Sequence, residues 1–112
     1  MCLFCKVVNH EIPAKILFED DDLLAFSDIR PMAPTHALVI PKRHMTSLED
    51  AAPGDATLLG KLVLACQRVA RESGIAASGY RVVANTGANG GQTVFHLHFH
   101  VLGGRAMAWP PG

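Results

Sequence analysis

Three histidines at alternating positions, His96, His98 and His100, are interleaved with Leu97, Phe99 and Val101. On a strand successive side chains point to opposite faces, so this spacing puts the apolar residues on one side and three imidazoles on the other. Same-side neighbours lie roughly 7 Å apart, close enough that protonating one ring opposes protonation of the next and keeps part of the row neutral near pH 7. A neutral imidazole is a nucleophile or a metal ligand. Just upstream, residues 87–93 read Gly-Ala-Asn-Gly-Gly-Gln-Thr, a loop whose glycines let backbone N–H groups converge on an anion while Thr93 adds a hydroxyl. Taken alone the loop is a plain turn between strands; joined to the imidazoles it reads as a phosphate cradle. Cys2 and Cys5 form a second constellation. Two thiolates three positions apart can share a tetrahedral zinc if two more ligands are supplied, and the alternatives are a redox pair or two unliganded thiols at a frayed terminus.

These groups need a scaffold, and the hydrophobic pattern outlines one. Residues 15–19 and 23–27 read as two strands separated by the acidic turn 20–22, and residues 37–40 as a third stopped by Pro41. Leu58, Leu59, Leu62, Val63, Cys66, Val69 and Ala70 recur at three- and four-residue spacing, which predicts an amphipathic helix over 55–72 with Pro53 near its start and Gly74 past its end. Cys66 is then a core residue. Residues 80–84 and 94–102 complete an antiparallel set with the helix on one face.

The chain has 112 residues, 49% of them hydrophobic, which fits one domain with a single modest core. Ten basic and ten acidic residues give a formal net charge of zero, so the electrostatic footprint of a nucleic-acid binder is missing. No apolar run approaches membrane-spanning length, the N-terminus lacks signal-peptide character, and three cysteines do not suggest a disulfide framework; a cytoplasmic protein is the expectation.

The run from His96 to Leu102 matches the signature of the histidine triad family. Asp28-Ile29-Arg30-Pro31-Met32-Ala33-Pro34-Thr35-His36 with Val39-Ile40-Pro41-Lys42 resembles the family's second block, and the ending from Gly103 to Gly112 resembles the tail of its nucleotide-binding protein branch. The resemblance runs from about Phe4 to the last residue. It implies an α+β fold over 1–112: an antiparallel five-stranded sheet, one long helix and a short N-terminal helix, forming a homodimer with a continuous sheet and with the 103–112 tail at the rim of the active site. It further implies a purine nucleoside phosphoramidate hydrolase working through a covalent nucleotidyl-histidine. The other readings are a dinucleoside polyphosphate hydrolase, a zinc hydroxide held by His96, His98 and His100, and a nucleotide-binding regulatory protein with weak residual hydrolysis.

By the same resemblance His98 is the nucleophile, its ring held neutral by a donor bond from its other nitrogen to a backbone carbonyl. His100 is implied to donate to the phosphate oxygens and to help protonate the leaving group; histidine here, where transferases of the family carry glutamine, points to hydrolysis. His36 resembles a motif histidine near the nucleophile that moves protons or serves the structure. Asn85, Thr93 and the Gly91-Gln92 backbone correspond to phosphoryl contacts, with threonine at 93 where relatives usually have serine. Asp28 suits two ribose hydroxyls, and Leu3, Phe4, Val7, Phe26, Ile29 and Leu38 match positions that sandwich the base, with Trp109 on the tail. His44 and His96 are the implied partners of Cys2 and Cys5 in a structural zinc site, with no cofactor needed for hydrolysis.

Overall fold

The computed structural model describes residues 2–112. The chain begins with a short helix α1 (Leu3–Val8) and two antiparallel strands, β1 (Ile16–Glu19) and β2 (Leu23–Ser27), followed by β3 (Thr35–Pro41). Two short 3₁₀ turns lead into the long helix α2 (Ala56–Glu72), and β4 (Tyr80–Val83) and β5 (Phe99–Gly103) close the fold. The five strands form one sheet in the order β1-β2-β3-β5-β4, every neighbouring pair antiparallel.

Strand alternation divides the core into two layers. Leu23 and Ala25 of β2, Ala37 and Val39 of β3, and Phe99 and Val101 of β5 face α2, where they pack on Leu62, Ala65, Cys66, Val69 and Ala70. Leu24, Phe26, Leu38 and Ile40 point the other way and pack on Phe4 and Val7 of α1. This explains why residues 23–26 of β2 and 37–41 of β3 form unbroken apolar runs rather than alternating ones: both faces are covered. Cys2 caps α1, its sulfur accepting the Cys5 N–H at 3.2 Å, so the terminus is ordered at the thiol pair rather than frayed. Past the C-cap Ser73 of α2 comes Gly74, whose φ of +76° suits a residue without a Cβ, and the Ile75 N–H returns to the Ala70 carbonyl.

Two expectations need correction. Val63 belongs to the three-four repeat by sequence, yet it is 54% exposed, as is Leu64 beside it at 62%; the buried stripe follows Leu62, Cys66 and Val69 instead. The strand expected over 94–102 begins only at Phe99. Residues 94–96 bend, and the Leu97 N–H bonds to the Met45 carbonyl rather than to a sheet neighbour. The bend splits the histidine row, sending His96 away from His98 and His100.

Candidate active site

The rings of His36, His96 and His98 are each held by a backbone group, and those groups fix which nitrogen carries the proton. His98 Nδ1 is 2.7 Å from the carbonyl oxygen of His96. A carbonyl only accepts, so Nδ1 carries the hydrogen and the Nε2 lone pair is left free. His96 Nε2 donates to the Pro41 carbonyl at 2.7 Å, which leaves a lone pair on its Nδ1. At His36 the order is reversed: the Met32 N–H donates to Nδ1 at 3.0 Å, so the proton sits on Nε2. That Nε2–H is 2.9 Å from His100 Nδ1 and 3.4 Å from an Asp28 carboxylate oxygen. His100 therefore accepts at Nδ1 and donates from Nε2 when neutral. Burial is the main reason both rings stay neutral; it lowers the His36 pKa against the pull of Asp28, and together with neighbouring His98 and His36 it pushes His100 down to about 4.

The rings of His98 and His100 lie 5.0 Å apart on the α1 side of the sheet, and Phe4 meets His98 edge-on at 5.1 Å. Phe4 also touches Phe26 at 5.5 Å, and these two rings begin a groove of about 410 Å³. Leu3, Phe4 and Val7 of α1 form one wall, Phe26 and Leu38 the floor, and Asp28, Ile29 and Thr93 the rim. Eight of the residues matched by resemblance to substrate contacts are thus gathered in one place. Ile12, Pro13, Ala14, Ser27, Arg30 and Val94 complete the lining and were not read from the sequence. Arg30 was the legible one, because a cation two residues from Asp28 at a strand exit suits an anionic ligand.

Other expected contacts stand elsewhere. The Gly91 and Gln92 N–H groups bond to the Ala88 and Gly87 carbonyls, so this part of the loop is a closed turn. The Gln92 side chain braces that turn, accepting the Gly87 N–H and donating to the Thr46 and Val94 carbonyls. Asn85 donates to the Gly90 carbonyl at 2.6 Å. Trp109 is 83% exposed and does not line the groove.

The Nδ1 freed on His96 points at the cysteines. The six separations among Cys2 Sγ, Cys5 Sγ, His44 Nδ1 and His96 Nδ1 run from 3.1 to 3.6 Å. A tetrahedral ion with bonds of about 2.0–2.3 Å to nitrogen and sulfur has donor edges of about 3.3–3.8 Å, so the four atoms are spaced as such an ion needs. The Pro41 carbonyl orients His96 as outer partners of metal-bound histidines do. His98 and His100 are not among these ligand atoms.

Residues 9–107 match the model of the HIT domain family. The chain belongs to that family. It is 52% identical over 110 residues to an uncharacterised HIT-like protein of Synechococcus elongatus, an alignment covering 98% of this chain and 96% of that one. The crystal structure of a HIT family hydrolase from Legionella pneumophila superposes with a TM-score of 0.98 at 49% identity over the whole of both chains. A zinc-bound histidine triad family protein from Mycobacterium smegmatis superposes at 0.79 with 37% identity, covering 93% of this chain and 75% of that one. The α+β architecture expected from the resemblance is the one observed, and its neighbours place the chain among hydrolase-like HIT proteins.

Proposed function

We propose that the protein hydrolyses purine nucleoside phosphoramidates through a covalent nucleotidyl-His98 intermediate. The observation that carries this reading is the His98 ring itself: Nδ1 is committed to the His96 carbonyl, and Nε2 keeps its lone pair on the side of the sheet where Phe4 and the apolar groove lie. In the first half-reaction His98 Nε2 attacks the α-phosphorus and the P–N bond breaks. The nitrogen departs as a neutral amine with a proton drawn from solvent. The positive charge gained by the imidazole is supported by the Nδ1–H bond to the His96 carbonyl. Water then attacks the phosphorus, returns a proton to solvent and releases His98.

Of the two roles implied for His100, the neutral tautomer suits hydrogen-bond donation from Nε2 to the phosphoryl oxygens, worth roughly 100-fold or more in rate when such a donor is lost. The groove takes the nucleoside, with Asp28 and Arg30 at the ribose and phosphate end. Cys2, Cys5, His44 and His96 would hold one structural zinc, which would tie α1 to the bend before β5 and take no part in the hydrolysis. A homodimer forms through the outer edge of β4 and the exposed apolar side of α2, where Val63, Leu64, Tyr80 and Val82 lack cover.

The test is turnover of adenosine phosphoramidate and of a dinucleoside polyphosphate, each with and without chelator. Preferential phosphoramidate cleavage that survives the chelator supports the proposal. Preference for the dinucleotide, or loss of both activities on chelation with the fold intact, overturns it.

A further inference from the structure

We propose that Arg105 is a positioning residue that sets the proton arrangement of the His36–His100 pair by clamping the backbone of Met32. The guanidinium Nε and Nη2 both donate to the Met32 carbonyl, at 3.1 and 3.0 Å. The N–H of the same residue donates to His36 Nδ1. One residue thus joins an arginine on the tail to the ring that faces His100. The Met32 side chain is 68% exposed, so its own packing does not hold this peptide. The tail supplies the hold instead: Gly104 has a φ of +89° and passes so close to Pro34 that a Cβ would lie 2.8 Å from the proline Cβ, which seats Arg105 over the 31–34 turn.

The consequence follows from donor and acceptor counting. While Met32 donates to His36 Nδ1, His36 can only donate from Nε2, and His100 can only accept at Nδ1. The hydrogen of neutral His100 is then on Nε2. Asp28, with a carboxylate oxygen 3.4 Å from His36 Nε2, also favours a proton there, so if the Met32 N–H moves out of reach His36 loses one of two holds and gains population with its proton on Nδ1 and the Nε2 lone pair offered. His100 answers by moving its own proton to Nδ1, and its Nε2 becomes an acceptor that cannot donate to a phosphoryl oxygen. Arg105 needs no contact with substrate to produce this change. The effect on turnover rests on the role of His100 given above, whereas the effect on the tautomers does not.

The experiment compares the unaltered protein with Arg105→Ala, Arg105→Lys and Arg81→Ala. Arg81 also anchors the tail, donating to the Ala108 carbonyl at 2.6 Å, but has no bond to Met32. Nitrogen-15 correlation spectra of the histidine rings read the tautomers directly. Arg105→Ala is expected to shift His36 and His100 toward the Nδ1–H forms, with the lysine variant restoring them in part and Arg81→Ala leaving them unchanged. In the same proteins, kcat for adenosine phosphoramidate falls roughly 100-fold in Arg105→Ala, as for loss of one donor to a developing anion, with adenosine monophosphate affinity within about two-fold. Unchanged tautomers in Arg105→Ala, or an equal shift in Arg81→Ala, overturn the proposal. If the tautomers shift and the phosphoramidate is never cleaved by any form, the clamp stands and the reading of the substrate fails.

Discussion

The carbonyl oxygen of His96 accepts the ring N–H of His98 at 2.7 Å, while the ring of His96 turns away to the two cysteines and His44. One residue therefore serves two sites with two different groups. Its backbone aims the neighbouring imidazole, and its side chain is held by the cluster that anchors α1.

Removal of the cysteines tests that coupling. The purified protein is expected to contain about one zinc per chain, and Cys2→Ser/Cys5→Ser is expected to lose it while folding and keeping much of its turnover. Elemental analysis with circular dichroism checks this. Because α1 also supplies Leu3, Phe4 and Val7 to the groove, the larger change should be weaker nucleotide binding, measured by calorimetry.

Acid should destabilise the fold in a defined window. His36 and His100 have pKa values below the usual 6.5, His100 at about 4. In the unfolded chain both histidines take up protons as pH falls through about 6.5, whereas the folded chain resists until lower pH. Stability is therefore full above about pH 6.5 and is lost progressively toward pH 4. Urea midpoints between pH 4 and 8 measure it, and replacing His100 by Gln should flatten part of the slope.

A methyl group at Gly103, the last residue of β5, or at Gly104 just after it should be costly. At Gly103 a Cβ would lie 2.5 Å from Ile75 Cδ1, and at Gly104 it would meet Pro34 in a backbone conformation that favours glycine. Gly104→Ala is expected to lower stability by about 1–3 kcal/mol. Thermal denaturation checks the value, with Gly54→Ala, where a Cβ meets nothing within 4 Å, as the control.

The tail and the dimer can be tested together. Trp109 is exposed, and if the proposed homodimer brings it to the partner's leaving-group side, deleting residues 107–112 should change discrimination among amine leaving groups more than it changes nucleoside monophosphate binding. Light scattering of both forms reports assembly. Val63→Glu should yield monomers by placing a charge in an apolar face.

Much of this arrangement was legible because it repeats. Short apolar runs bounded by the acidic turn 20–22 and by Pro41 marked β1, β2 and β3, and the three-four spacing from Leu58 to Ala70 marked α2, which buries one side of a regular helix. The break at residues 94–98 was not legible. Alternating His and Leu satisfy a strand pattern equally well whether the chain is paired or bent, and the bend depends on Met45 and Pro41, more than fifty residues away. The residues of the groove could be matched only through the family pattern, because Phe4, Phe26 and Leu38 are indistinguishable from ordinary core by type. Met32 and Arg105 were invisible as functional positions for a different reason: one contributes its backbone, which carries no side-chain signal, and the other acts through it.

The most direct measurement of the central claim is rapid-quench turnover of adenosine phosphoramidate by the unaltered protein and by His98→Ala, with the quenched protein digested to locate bound nucleotide. Adenylate is expected on His98 in the unaltered protein. In the variant, turnover is expected to fall by several orders of magnitude with nucleoside monophosphate affinity largely kept. Turnover by His98→Ala comparable to that of the unaltered protein, or adenylate recovered on another residue, would contradict the claim.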